Sequence, residues 1–268
     1  MARGSRKRAE LAAASLLTRV GATRPEHIDP IVSAKTLGIE VAFGQLAGAT
    51  ARICHNGCKA RIRVSDQIVL PGRTAFSIAH EIGHYLLGHT IASEHDDRTW
   101  AHATCDRRPA QEEREADVFA STHTMPEAMV RAHCDLDGAN LYAARAIARV
   151  FPASPVASAR RVIDLSPATC ALVYSETGRV RWIHYGRRFQ ARIFPGTRLH
   201  VATLARAHFD GAALEHEPRA LPVASWLPLA VGAGTIIEHA EVVPEPGWGG
   251  VLSMLSMLSP ETSARAPG

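Results

Sequence analysis

Lysine is nearly absent from this chain: only Lys7, Lys35 and Lys59 occur in 268 residues, so 27 of the 30 basic residues are arginine. That imbalance, in an alanine-rich sequence, reads as a coding bias, and the pI of about 9.0 makes no case for nucleic acid. The net charge of +4 is small for the length, and the one basic run is Arg3, Arg6, Lys7 and Arg8. No stretch approaches the ~20 apolar residues that a membrane span requires. The apolar run after the basic start, Leu11–Leu17, holds only about 7 residues between Glu10 and Arg19, which suits an amphipathic helix better than a secretion signal. Cysteine is scarce: five residues, at 54, 58, 105, 134 and 170. An odd, scattered set argues against a disulfide framework and points to a reducing cytoplasm. With 46% hydrophobic and 21% charged residues, collagen-like, coiled-coil and disordered classes are excluded. The length allows one large domain or two modest ones.

Periodicity predicts a helix over residues 9–20, with Leu11, Ala14, Leu17 and Val20 as its apolar side. A second follows from Pro30 to Gly38. Short strands are expected at Ile39–Phe43, Ala51–Ile53, Ala60–Val64 and Ile68–Leu70, the middle two joined by a turn at Cys54–Cys58. A strong amphipathic helix runs from Thr74 to Leu87, a polar loop fills 90–109, and a helix opened by Pro109 covers Glu112–Thr124. Shorter helices are expected at Pro126–His133, Asn140–Val150 and Pro155–Leu165. Beyond Ser166-Pro167 the pattern turns β-rich, beginning with a hairpin across Glu176-Thr177-Gly178; Ser259–Gly268 reads as a frayed tail.

What the chain has in surplus is histidine: 14, of which seven lie between His80 and His133. His80-Glu81-Ile82-Gly83-His84 is HExxH inside the best helix of the sequence. Residues i and i+4 share a helix face, so both imidazoles can reach one metal at about 2.0–2.1 Å. Glu81, about 100° around the helix, can approach a water at that metal without taking a ligand position, the arrangement of a zinc-hydrolase base. A third ligand is expected among Glu112, Glu113, Glu115 and Asp117 on the helix after Pro109. Glu112 and Glu113 both border its apolar side, marked by Ala116, Phe119 and Ala120, so angle alone leaves both open. Glu113 has Asp117 one turn later, where a carboxylate can accept from the free ring nitrogen of a ligand histidine. Glu112–Glu115 also suit the first turn of a helix as dipole partners.

The run Thr74–His89, TAFSIAHEIGHYLLGH, followed by Glu113-Arg-Glu-Ala-Asp117-Val-Phe-Ala and Met125-Pro126, resembles the ImmA/IrrE-type metallopeptidases. Its Glu-x-x-x-Asp element also resembles the third-ligand helix of gluzincins. The likeness extends upstream over residues 9–43 and weakens after Pro126; His123-Thr124, where relatives carry Leu-Leu or similar, is a departure beside the site. The resemblance implies an α+β fold: a zincin-like metallopeptidase domain over residues 1–137, a helical connector over 138–167, and a β-rich regulatory or substrate-binding domain over 168–268, with a GAF-like fold as one option. It implies zinc (manganese as an alternative) on His80, His84 and Glu113, Glu81 as general base, and Asp117 behind a ligand histidine. Tyr85, His89 and His123 are open candidates for transition-state or substrate contacts. The implied function is a cytoplasmic endopeptidase that cuts a helix-turn-helix repressor of the XRE type and so releases stress or mobile-element genes. The alternative is a non-catalytic regulator that binds a repressor or DNA.

Other features read more plainly. Cys54-His55-Asn-Gly-Cys58 has no matching second pair and reads as a β-turn with reduced thiols. Cys105 and His102 fall in the loop between the ligand helices. The helices at 140–165 look faintly like a helix-turn-helix with Arg160-Arg161 exposed, but proline in the turn favours a packing linker over DNA contact.

Overall fold

The computed structural model describes residues 3–46, 48–55, 59–93, 108–228, 234–243 and 249–257. Cys58, His102, Cys105 and the expected tail at 259–268 lie outside them. The fold is α+β, with eight α-helices and two sheets among the described residues. It divides into two compact units, Met1–Ala132 with Ile147–Ser154, and His133–Ala146 with Pro155–Gly268.

In the first unit, α1 (Arg3–Arg19) starts six residues before the expected position 9. Its buried side is Ala9, Ala13, Leu16 and Leu17, whereas Leu11 is 60% exposed. The apolar side anticipated at Leu11 and Ala14 is therefore rotated. The small side chains of Ala9 and Ala13 face inward, where two helices meet closely. Helix α2 (Pro30–Thr36) opens on a proline, and Asp29 Oδ1 accepts from the Ile31 N–H at 2.7 Å, an N-cap. A mixed sheet follows in the order β1 (Glu40–Gly44), β3 (Ala60–Ser65), β2 (Ala51–His55), β4 (Ala92–Ser93). β3 runs parallel to β1 and antiparallel to β2, and β4 runs parallel to β2.

Residues 68–70, expected as a strand, form none, and Val69 is 80% exposed. Three apolar residues without a pairing edge run straight into α3 (Pro71–Leu86), which begins at its proline. Helix α4 (Ala110–Thr124) packs on α3. Ile53 and Ile62 from the sheet, Ile78 and Ile82 from α3, and Phe119 from α4 form the core of this unit. Gly83 lets the two helices come close. A β-carbon there would lie 3.1 Å from the Phe119 ring, so the α4 segment carrying Glu113 owes its approach to that glycine.

Along the chain follow α5 (Glu127–His133), α6 (Leu141–Val150) and α7 (Pro155–Leu165). Arg160 and Arg161 do not form an exposed pair: Arg161 is buried, and the Arg160 guanidinium lies over the Trp182 ring, 4.5 Å from its centroid. Packing has taken Arg161 from the surface, while Arg160 stays exposed against Trp182. The second unit is built on a five-stranded antiparallel sheet, β5 (Cys170–Glu176), β6 (Arg179–Tyr185), β7 (Arg219–Pro222), β8 (Thr235–Val242) and β9 (Val251–Met257), in the order β6-β5-β9-β8-β7. The β5–β6 hairpin turns at Thr177-Gly178 as expected, with φ of 48° and 74°. Both values are positive, as a type I′ turn requires. One short helix, α8 (Leu204–Phe209), packs on this sheet, and Val173, Trp226, Ile236 and Leu255 lie in its core.

Candidate metal centre

Helical spacing brings His80 and His84 together on α3, with their Nε2 atoms 3.0 Å apart. Across from them, Glu113 on α4 places Oε2 3.3 Å from His80 Nε2 and Oε1 3.5 Å from His84 Nε2. Of the two acids that angle could not separate, Glu113 is the one facing both Nε2 atoms. His80 Nδ1 hydrogen-bonds to Asp117 Oδ1 at 3.0 Å, and His84 Nδ1 is 2.9 Å from His89 Nδ1. Both Nδ1 atoms are thus engaged away from the centre, which leaves the two Nε2 atoms and one carboxylate converging, all within 4.8 Å. Two imidazole nitrogens and a carboxylate are the donor set of a catalytic zinc site with an open position, so these residues fit a divalent metal. Burial lowers the pKa of His80, but its hydrogen bonds to Asp117 and Glu113 carry it up to about 9. Burial and the nearby His80 charge push His84 down to about 3. The hydrogen bond to His80 holds Glu113 below the usual carboxylate range.

Glu81, beside this trio, is tied to the sheet. The Ile53 N–H of β2 donates to its Oε2 at 3.0 Å, and Arg108 Nη2 is 3.5 Å from the same oxygen. Burial raises the Glu81 pKa, against the opposing charge of Arg108. Glu81, His80, Glu113, Asp117 and Arg108 line one side of an open cavity of about 670 Å³, and residues 48–52 line another. Arg108 is held by a hydrogen bond from Nε to the Thr90 carbonyl at 3.3 Å. Nothing in the sequence marked Arg108, which sits at the end of a polar loop in an arginine-rich chain.

The three open candidates fall elsewhere. Tyr85 is exposed and does not line the cavity. His89 sits behind His84. His123 is fully buried, its Nε2 2.8 Å from Ser33 Oγ on α2 and its ring stacked on Phe119, and burial pushes its pKa down to about 4. The departure at His123-Thr124 is therefore a matter of core packing between α2 and α4. Glu115, one of the four acids that the sequence offers as a third ligand, is instead buried against His89.

No helix among the described residues is long and apolar enough to cross a membrane. No curated protein matches the chain in sequence. A solved structure described as a Mycobacterium tuberculosis transcriptional regulator is similar at a TM-score of 0.59 and 14% identity, over 93% of this chain and 76% of that one, which is a likeness of fold. The peptidase M78 family, described as the IrrE N-terminal-like domain, matches residues 34–162, a stretch that holds α3, α4 and every residue of the converging trio. Over that stretch the chain matches the IrrE N-terminal-like domain, which supports the ImmA/IrrE family.

Proposed function

We propose that the chain is a cytoplasmic, zinc-dependent endopeptidase of zincin-like fold that cleaves a helix-turn-helix transcriptional repressor of the XRE type. On this reading the β-rich residues 168–268 are a GAF-like regulatory or substrate-binding unit. The observation that carries the proposal is the buried Glu81 carboxylate beside the converging His80, His84 and Glu113, with Glu81, His80 and Glu113 opening on one cavity. The family match and the regulator named among the similar folds favour a partner in transcription.

His80, His84 and Glu113 would hold the zinc, which would supply Lewis acidity towards a water and a peptide carbonyl. Glu81 takes the proton of the attacking water on its carboxylate and returns it to the leaving amine. The Ile53 N–H fixes Oε2 while it does so. Arg108, which lines the cavity and lies 3.5 Å from Glu81, is the cation assigned to offset negative charge growing on the carbonyl oxygen. The cavity also offers a backbone edge: among the described residues β4 covers β2 only at Cys54 and His55. Ala51 faces the same way as Ile53, so an extended peptide can add to that edge by main-chain hydrogen bonds.

The direct test is co-expression with each neighbouring helix-turn-helix repressor, with cleavage read by mass. We expect one repressor to yield two fragments whose masses sum to the intact chain plus one water. Chelation should stop cleavage and added zinc should restore it. Intact repressors throughout, beside a fully zinc-loaded chain, overturn the proposal. Arg108→Met should lower kcat by about 10²-fold while KM changes much less, the pattern of a group acting on transition-state charge. An unchanged kcat removes Arg108 from the mechanism.

A further inference from the structure

We propose that His89 and Glu115 are positioning residues that set the tautomer of His84 through two successive hydrogen bonds and so keep its Nε2 free for metal. The inference rests on the metal-centre reading above and extends it to residues that touch neither metal nor substrate.

The arrangement begins with a local turn. Helix α3 closes through Gly88, whose φ is +66°, a value that L side chains rarely adopt. The Gly88 N–H donates to the Tyr85 carbonyl at 3.3 Å and the His89 N–H to the His84 carbonyl at 3.0 Å. This is the Schellman closure of a helix. It folds residue 89 back over the last turn and brings its ring to the inner side of His84. His89 Nδ1 then lies 2.9 Å from His84 Nδ1, and His89 Nε2 lies 3.2 Å from Glu115 Oε2. Gln111 Nε2 donates to the other Glu115 oxygen at 2.9 Å. The side chains of His89 and Glu115 are only 5% and 6% exposed, which limits water as a substitute partner.

Proton counting fixes the rest. An ionised carboxylate only accepts, so the proton of a neutral His89 sits on Nε2 and its Nδ1 presents a lone pair. His84 must then donate from Nδ1, which leaves the lone pair on Nε2, the atom that faces His80 and Glu113. Without Glu115, His89 can carry its proton on Nδ1 instead. His84 then accepts at Nδ1 and holds its own proton on Nε2, where it blocks the metal. His80 receives the same instruction directly from Asp117. One ligand is oriented by a carboxylate, the other by a carboxylate acting through a second imidazole.

The same neighbourhood contains a rival. His84, His89 and Glu112 form a second group of possible metal donors, and Glu112 Oε2 is buried with no hydrogen-bond partner. A metal there would compete with the 2.9 Å hydrogen bond between the rings and would make His84 a bridge between two ions.

The experiment uses the full chain. Long-range proton–nitrogen correlation spectra of the metal-free protein should show His84 protonated at Nδ1 and His89 at Nε2. His89→Phe keeps a ring of similar size but cannot accept; zinc affinity, measured by competition with a chromophoric chelator, should fall about 10–100-fold. Glu115→Leu should do the same, whereas Glu115→Gln, whose amide oxygen still accepts, should recover affinity to within a few-fold. The metal-free unfolding midpoint should not follow this order, as it would for a purely structural contact. Wild-type affinity in His89→Phe, or His89 protonated at Nδ1, overturns the proposal. So does binding of two zinc ions per chain, one of them lost in His89→Phe. If His89→Phe fails to fold, the tautomer spectrum and the Glu115 pair decide. A wild-type chain that takes up no zinc refutes the metal centre itself, a failure separable from that of the relay.

Discussion

Glu81→Gln is expected to retain about one zinc per chain while lowering the rate of repressor cleavage by about 10²–10⁴-fold, the usual contribution of a positioned general base. That range corresponds to roughly 3–5 kcal/mol of transition-state stabilisation. Glutamine matches glutamate in size, and its amide oxygen can still accept from the Ile53 N–H that now holds Glu81 Oε2. Neither histidine nor Glu113 is altered, so the metal donors stay in place. Only the capacity to take a proton is removed. Metal content by elemental analysis and single-turnover cleavage by mass read the two effects separately. Cleavage at the wild-type rate sinks the mechanism. A variant that cuts nothing yet still relieves repression in the cell favours the non-catalytic regulator, in which the domain acts by binding alone.

The second large effect is expected far from this chemistry, at Glu238 in the second unit. Its carboxylate is fully buried on β8 and accepts four hydrogen bonds. The Leu204 and Ala205 N–H groups at the start of α8 donate at 2.9 and 3.2 Å. Trp226 Nε1 donates at 3.2 Å and Ser253 Oγ at 2.9 Å. Glu238→Ala leaves all four donors without their acceptor, at about 1–3 kcal/mol for each that finds no substitute. A loss of about 4 kcal/mol is therefore expected, a large share of the ~5–15 kcal/mol that stabilises an ordinary domain. Denaturant unfolding followed by tryptophan fluorescence should show the midpoint fall sharply. Glu238→Gln should lie between, because its one carbonyl oxygen still accepts while its amide N–H groups face donors. A loss under about 1 kcal/mol in the alanine variant would mean that α8 and Trp226 do not depend on this carboxylate.

Glu238 and Glu81 mark two levels of legibility. His80, Glu81 and His84 lie within five residues of one helix, so a period of 3.6 alone sets their relative directions. The helix ends read from Pro30, Gly38 and Pro109, and the turn at Thr177-Gly178, are local for the same reason: each depends on what one residue's backbone can adopt. Where a reading needed a neighbour, sequence lost its hold. The apolar side of α1 was misjudged because two alanines, weak signals of burial, mark the closely packed side, while Leu11 is left outside. Residues 68–70 carried strand-like composition but have no edge to pair with. Of Arg160-Arg161, read as an exposed pair, only Arg160 stays exposed, lying on Trp182, and Arg161 is buried.

The sequence by itself determined how Glu81 and the two histidines stand to one another, because helical geometry is a property of consecutive residues. It narrowed the third donor to adjacent acids of α4 and could go no further, since both border the same apolar side. The tertiary structure decided between them: Phe119 seated against Gly83 fixes which side of α4 faces α3, and that side carries Glu113. It also decided what lies behind and beside the site, namely Glu115 beneath His89 and Arg108 over Glu81. A buried polar residue takes its role from the partner that burial forces upon it, and here that partner stands 26 or 27 positions away along the chain.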